Sequence, residues 1–185
     1  MDVLRYVNVP LIGLSAVIGL VLLGIVVARP LWRGNRVRAL TVGGQLLLAV
    51  AVVGILVVTM PVGGPPGGEV NLVPGAGIQA QLSSANPSLG LVNVIGNVLL
   101  FVPAAALAGP VLGWTAARVV CVGASFSVAI EAVQLAVGRS ADVDDVLLNT
   151  LGVLLGVLLA SLAGRVVRLR SHSRSVSSER RSSSS

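Results

Sequence analysis

Lysine is absent from this 185-residue chain, histidine and cysteine occur once each, aromatic residues make up 3% and charged residues 11%. Each shortage excludes something. A single cysteine, Cys121, cannot form an intrachain disulfide, and its place inside an apolar run marks it as a small buried apolar side chain. The single histidine, His172, sits in an Arg/Ser-rich end, so no Ser–His, Cys–His or zinc-binding spacing exists. A soluble domain of this size carries roughly 25% charged residues. The deficit means that most of the chain does not face water. The net charge of +6 comes from Arg alone. These Arg residues lie at the borders of apolar runs rather than on one soluble face, which argues against a nucleic-acid partner. No cofactor and no resident metal is implied by this residue set.

What the chain has instead is hydrophobicity: 55% apolar residues and a mean hydropathy of +0.94. Apolar runs of about 20 residues recur, the length that crosses a bilayer at 1.5 Å per residue. Lipid cannot satisfy an exposed backbone, so such runs form helices. The alternating segments of a β-barrel are missing. Five spans are expected, at about 9–28, 39–60, 91–108, 116–137 and 146–163, giving an all-α integral membrane protein. The first is longer than a signal-peptide core and has no small-x-small site before the following Arg cluster, so it reads as a retained span.

Cytoplasmic loops carry excess Arg. Arg29, Arg33, Arg36 and Arg38, then Arg118, then Arg165, Arg168, Arg170, Arg174, Arg180 and Arg181 all fall on one side if there are five spans. The other side holds Arg5 and Arg139. The expected topology is N-terminus outside and C-terminus cytoplasmic. Trp32 and Trp114 then lie at the cytoplasmic border, where such rings are favoured. Arg without Lys, beside abundant Ala, Val, Gly and Leu, suggests a GC-rich bacterial genome and hence a plasma membrane.

The last three spans carry polar residues. Ionisable groups inside a membrane cost about 2.5–3.5 kcal/mol on insertion scales, so they mark function by default. Glu131 is the one carboxylate well inside a span. Ser127, Glu131 and Gln134 are spaced i, i+4, i+7 and share a helix face. Asn93 and Asn97 share a face in the third span, continued by Phe101. Asp145, Asn149, Gly152 and Gly156 form one face of the fifth, the glycines as a small-xxx-small pair for close packing. All three faces fall in the outer half of the expected topology. They should turn toward one another, roofed by Arg139, Asp142, Asp144 and Asp145. Asn93 and Asn97 equally fit interhelical hydrogen-bond glue, and Arg139 with Asp142 a surface ion pair.

These stretches resemble the VanZ-like family. Asn93-Val-Ile-Gly-Asn97-Val-Leu-Leu-Phe101-Val-Pro103 is similar to its Asn-x3-Asn-x3-Phe-x-Pro signature. Ser127-Val-Ala-Ile-Glu131-Ala-Val-Gln134 resembles its Ser-x3-Glu-x2-Gln helix. The run from Arg139 through Asp142, Asp144, Asp145 and Asn149 to Gly152 resembles its Arg-x2-Asp-x-Asp-Asp-x3-Asn-x2-Gly segment. Asn71-Leu-Val-Pro74 is similar to its Asn-Leu-Ile-Pro-Phe element, with Gly75 in place of the aromatic. The resemblance covers residues 71–156. It implies a bacterial membrane protein of a family named for a member linked to low-level teicoplanin resistance.

The expected organisation is a two-helix hairpin over 1–60, an extracytoplasmic Pro/Gly-rich loop over 61–90, a three-helix VanZ-like core over 91–164, and a disordered cytoplasmic tail over 165–185. The leading functional expectation is a cell-envelope protein. Its outward pocket, built from Asn93, Asn97, Ser127, Glu131, Gln134, Arg139, Asp142, Asp145 and Asn149, binds an amphiphilic or lipid-linked envelope molecule, or a lipoglycopeptide such as teicoplanin. Its other partner is the lipid bilayer itself. A second expectation is an enzyme acting on a lipid-linked substrate, with Glu131, Asp144 and Asp145 as candidate acid and base. The three Asp residues also offer oxygen ligands of the kind a divalent cation takes. A third is a proton-coupled transporter relaying through Glu131. The inner halves of the spans lack a continuing polar path, and no internal repeat is visible.

Overall fold

A computed structural model describes residues 36–60 and 68–182, with side chains as far as Val166. In chain order the elements are α1 (Arg36–Thr59), β1 (Val70–Asn71), α2 (Ala76–Leu82), α3 (Pro87–Leu112), α4 (Ala116–Ala136), β2 (Ala141–Asp142) and α5 (Val143–Ser182). Four stretches, Val37–Thr59, Pro87–Leu112, Ala116–Ala136 and Val143–Val166, are long and apolar enough to cross a membrane. They correspond to the second to fifth expected spans. The first, at 9–28, lies outside the described residues. The chain divides into two compact units, Met1–Ala49 and Val50–Ser185, with α1 running across the division. All the geometry below belongs to the second unit.

Local chemistry sets the helix ends. Pro87 begins α3 at a position where its missing N–H is no loss. The Thr115 hydroxyl caps α4 by accepting the Arg118 N–H at 3.3 Å. At its other end α4 closes in a Schellman motif: Arg139 N–H donates to Gln134 at 2.9 Å and Gly138 N–H to Leu135 at 3.0 Å. This closure needs a left-handed residue, and Gly138 supplies it with φ 83°. The chain therefore reverses within a few residues and brings Asp142 back over the end of α4.

The core of the second unit is α5 packed against α3 and α4. Gly152 and Gly156 make the α3 contact possible. A Cβ at Gly152 would strike the Val98 carbonyl, and one at Gly156 would lie 2.5 Å from the Val102 carbonyl. Gly123 plays the same part on α4, facing Val153. Phe101 is buried between the helices, its ring tilted 53° against Phe126 at 6.3 Å. Outward, Leu91, Val92, Leu99, Val128, Leu151 and Leu158 are exposed, an apolar surface of the kind lipid covers.

Three expectations need correction. The Pro/Gly-rich segment before the third span is not irregular throughout: it holds β1 and α2, and α3 begins at Pro87 rather than 91. Cys121 is exposed on α4, not buried. The packed face of α4 is the one carrying Val119, Ser127, Ile130, Glu131 and Gln134, and a thiol is apolar enough to face lipid instead. The Arg/Ser-rich stretch expected to be disordered is helical as far as Ser182. A helix already nucleated adds residues cheaply, and Arg is a good helix former.

Candidate functional site

Asp142 organises the polar end of the helices. Its residue pairs in parallel with Asn71, as Ala141 does with Val70, so β1 and β2 lay the two segments side by side. The Asp142 carboxylate sits just before α5 and accepts the Asp144 N–H at 2.9 Å, an N-cap interaction. The Asn71 amide donates to both of its oxygens at 3.2 Å. Gly77 packs against the same carboxylate so closely that any Cβ there would collide with it. The Asp142 backbone N–H meanwhile donates to Glu131 Oε2 at 3.0 Å. Glu131 is thereby tied to the start of α5 while remaining only 7% exposed.

Asp144 faces a different element. Fully buried, it accepts the backbone N–H of Gly75 at 2.6 Å and of Ile78 at 3.0 Å. A carboxylate from α5 thus satisfies orphan donors in the first turn of α2. Asp145, on the adjoining face, accepts from the Asn97 amide of α3 at 2.6 Å. One turn further along α5, Asn149 donates to Ser127 on α4 at 2.9 Å, both residues buried. The Asn149 Oδ1 oxygen is buried with no partner. On the α1 side, Gln134 and Arg139 both donate to the Thr59 carbonyl, at 2.7 and 3.0 Å. They satisfy a carbonyl that the end of α1 leaves open.

These residues form one connected layer across five helices and two short strands. A model of the VanZ/LLP1 family matches residues 45–164, which is more than half the chain. The chain belongs to the VanZ/LLP1 family. No curated protein and no solved structure matches it. The family match contains every residue of the layer. With its apolar helices, the chain is a membrane protein of the VanZ family.

The VanZ-like motifs do not all meet in one place. Glu131, Asp142, Asp145 and Asn97 converge, and Ser127 with Asn149 lies directly beneath them. Gln134 and Arg139 are anchored beside them on Thr59. Asn93 is apart: it is exposed and donates to the Gln81 side chain at 3.2 Å. With Ser84 and Leu89, that pair lines an open groove of about 570 Å³ where α2 meets α3. Arg139 donates to Thr59 rather than forming the expected pair with Asp142, whose carboxylate is held by Asn71 and its own helix end.

The carboxylates also differ in availability. Both Asp144 oxygens are committed to the backbone of the α2 turn, which gives this carboxylate a capping role. Among the described residues no three acidic, His or Cys side chains converge to hold a metal ion. Sequence reasoning missed the Thr59 carbonyl, the Gly75–Ile78 turn and the part played by Asn71. Only Asn71 carried a signal, through its place in the Asn-Leu-Val-Pro element. Gly75 also has an explanation here: its φ of 86° is a backbone conformation that side chains rarely adopt, and Gly supplies it where an aromatic would be strained.

Proposed function

We propose that this VanZ-family chain is a multi-pass protein of the bacterial plasma membrane, N-terminus outside and C-terminus cytoplasmic. Its polar layer faces outward and forms a pocket for an amphiphilic or lipid-linked envelope molecule. By occupying such molecules it contributes to resistance against lipoglycopeptides of the teicoplanin kind. The observation that carries this reading is Glu131: 7% exposed, with Oε2 on the Asp142 N–H and no donor among the described residues on Oε1. A nearly buried carboxylate is costly in a membrane helix and marks a functional site by default. Its surroundings favour a one-sided site over a conduit. Beyond Ser127 and Asn149 the buried side chains are Phe101, Ala105, Ala108, Val119 and Val153, which carry no proton path.

A second reading, a carboxylate-dependent enzyme on a lipid-linked substrate, rests on Glu131 and Asp145 together. They sit on different helices within electrostatic reach of each other, and each keeps one oxygen without a donor among the described residues. Turnover of a labelled envelope lipid by the purified protein, lost in either isosteric variant, is the result that would replace binding with catalysis.

The test of the main reading is teicoplanin and vancomycin susceptibility in a sensitive host. It compares wild type, Glu131→Gln and Asp145→Asn at matched membrane abundance. Wild type should raise the teicoplanin threshold selectively, and both variants should abolish the rise. No effect of wild type removes the resistance role, and loss of abundance in the variants would reduce Glu131 to a structural residue.

A further inference from the structure

The hydrogen-bond inventory of the polar layer is lopsided. Each side-chain amide nitrogen in it already donates to a protein oxygen: Asn71 to Asp142, Asn97 to Asp145, Asn149 to Ser127 and Gln134 to Thr59. The acceptors are not used up. Glu131 Oε1, Asp145 Oδ2 and Asn149 Oδ1 have no donor among the described residues. The third is the most telling, because Asn149 is 2% exposed and its oxygen is wholly cut off from solvent. Buried acceptors are ordinarily partnered, so this orphan calls for a donor that is not among the described residues. Helical geometry places the three together. Asn149 is one turn from Asp145 on α5, and Ser127, its partner, is one turn from Glu131 on α4. The orphaned oxygen therefore lies in the layer directly beneath the two half-used carboxylates.

Charge points the same way. Asp142 and Asp144 are offset by the helix N-termini they cap. That leaves Glu131 and Asp145 facing one cation among the described residues, Arg139, whose guanidinium is held on the Thr59 carbonyl. The open acceptors call for a group that donates several hydrogen bonds and brings positive charge. A protonated primary amine has three donors and no acceptor.

We propose that the Glu131–Asp145–Asn149 layer binds the protonated primary amine of an amphiphile. The apolar part of that amphiphile lies along the lipid-facing helix surface. The inference rests on the amphiphile-binding reading above and adds the chemistry of the headgroup. Glu131 and Asp145 accept the ammonium from opposite helices, and Asn149 accepts from beneath.

The test is equilibrium binding of radiolabelled dodecylamine to the full chain in phosphatidylcholine nanodiscs. It is counted as the saturable excess over empty nanodiscs at neutral pH. N-acetyldodecylamine, with the same chain and no charge, is the comparator. Dodecylamine should bind at least ten-fold more tightly than the acetylated probe. Glu131→Gln and Asp145→Asn, near-isosteric substitutions on two different helices, should each weaken it at least ten-fold without lowering the melting temperature. Glu69→Gln, which neutralises an exposed carboxylate outside the layer, should change it less than two-fold. Equal binding of the two probes, with both weakened by Glu131→Gln, overturns amine selection and leaves the amphiphile reading standing. Displacement of dodecylamine when sodium replaces choline in the buffer overturns it in favour of a metal-ion site. Absence of saturable binding by any alkyl probe also overturns it, and the amphiphile reading then stands or falls on the susceptibility assay.

Discussion

Asp144 and Gly75 lie 69 residues apart in the chain and are joined by a 2.6 Å hydrogen bond from the Gly75 N–H to the Asp144 carboxylate. With the Ile78 N–H on its second oxygen, this one side chain docks α2 onto the first turn of α5. Neighbouring Asp145 accepts from a side chain, that of Asn97. Two adjacent acids thus meet different elements, one the backbone of α2 and one a side chain of α3.

Asp144→Asn replaces an acceptor by a donor facing a backbone N–H. It should destabilise the fold by about 2 kcal/mol, the scale of a hydrogen bond to a charged group. Hydrogen exchange should report it locally, with amides of Ala76–Leu82 exchanging faster than in wild type. Asp145→Asn should leave those amides protected. Gly75→Ala, which puts a side chain at φ 86°, should cost about 1–2 kcal/mol and expose the same segment.

The α3–α5 contact offers a second test. Gly156→Leu forces a side chain into the Val102 carbonyl and Ala105, and Gly152→Leu into Val98 and Phe101. Each should cost about 1–3 kcal/mol or more, the range for overpacking a close contact. The measurement is the unfolding midpoint in a mixed-micelle denaturant titration. Gly54→Ala, where an added Cβ meets nothing within 4 Å, should leave the midpoint unchanged or slightly raised.

Much of this is legible in the sequence, for a physical reason. Residues spaced i, i+4, i+7 must share a helix face, and Ser127, Glu131 and Gln134 are indeed all buried. Gly152 and Gly156 likewise sit where no Cβ fits. What periodicity could not supply is which element each face meets. Asn93 and Asn97 share a face by spacing, yet one meets Gln81 in an open groove and the other Asp145. The same limit hid α2, seven residues long, which is held in part by a carboxylate contributed from far along the chain. Cys121 was misread because an apolar residue in a membrane helix has two favourable places, protein and lipid, and composition cannot choose between them.

The Ser127–Asn149 contact can be isolated by a double-mutant cycle. Ser127→Ala removes the acceptor of the Asn149 amide and leaves a buried group with no partner at either end. Removing both polar groups, in Ser127→Ala with Asn149→Leu, takes away that penalty. The double variant should therefore be more stable than the sum of the single losses predicts, by about 0.6–1.7 kcal/mol, the span of interhelical hydrogen bonds in membranes. Strict additivity would show that the two side chains do not interact in the bilayer.

The proposed orientation has its own test. The start of α4 and the turn after it lie at opposite ends of one span, at Ala116 and Ser140, and both residues are exposed. In a Cys121→Ser background, Ser140→Cys should react in intact cells with a membrane-impermeant maleimide. Ala116→Cys should react only after the membrane is opened. That pattern places Glu131 and Asp145 within reach of molecules arriving from outside, as an envelope site requires. The reverse pattern puts the polar layer in the cytoplasm. It would overturn the envelope-facing reading however well the layer binds its ligand, because an external lipoglycopeptide would then have no direct route to it.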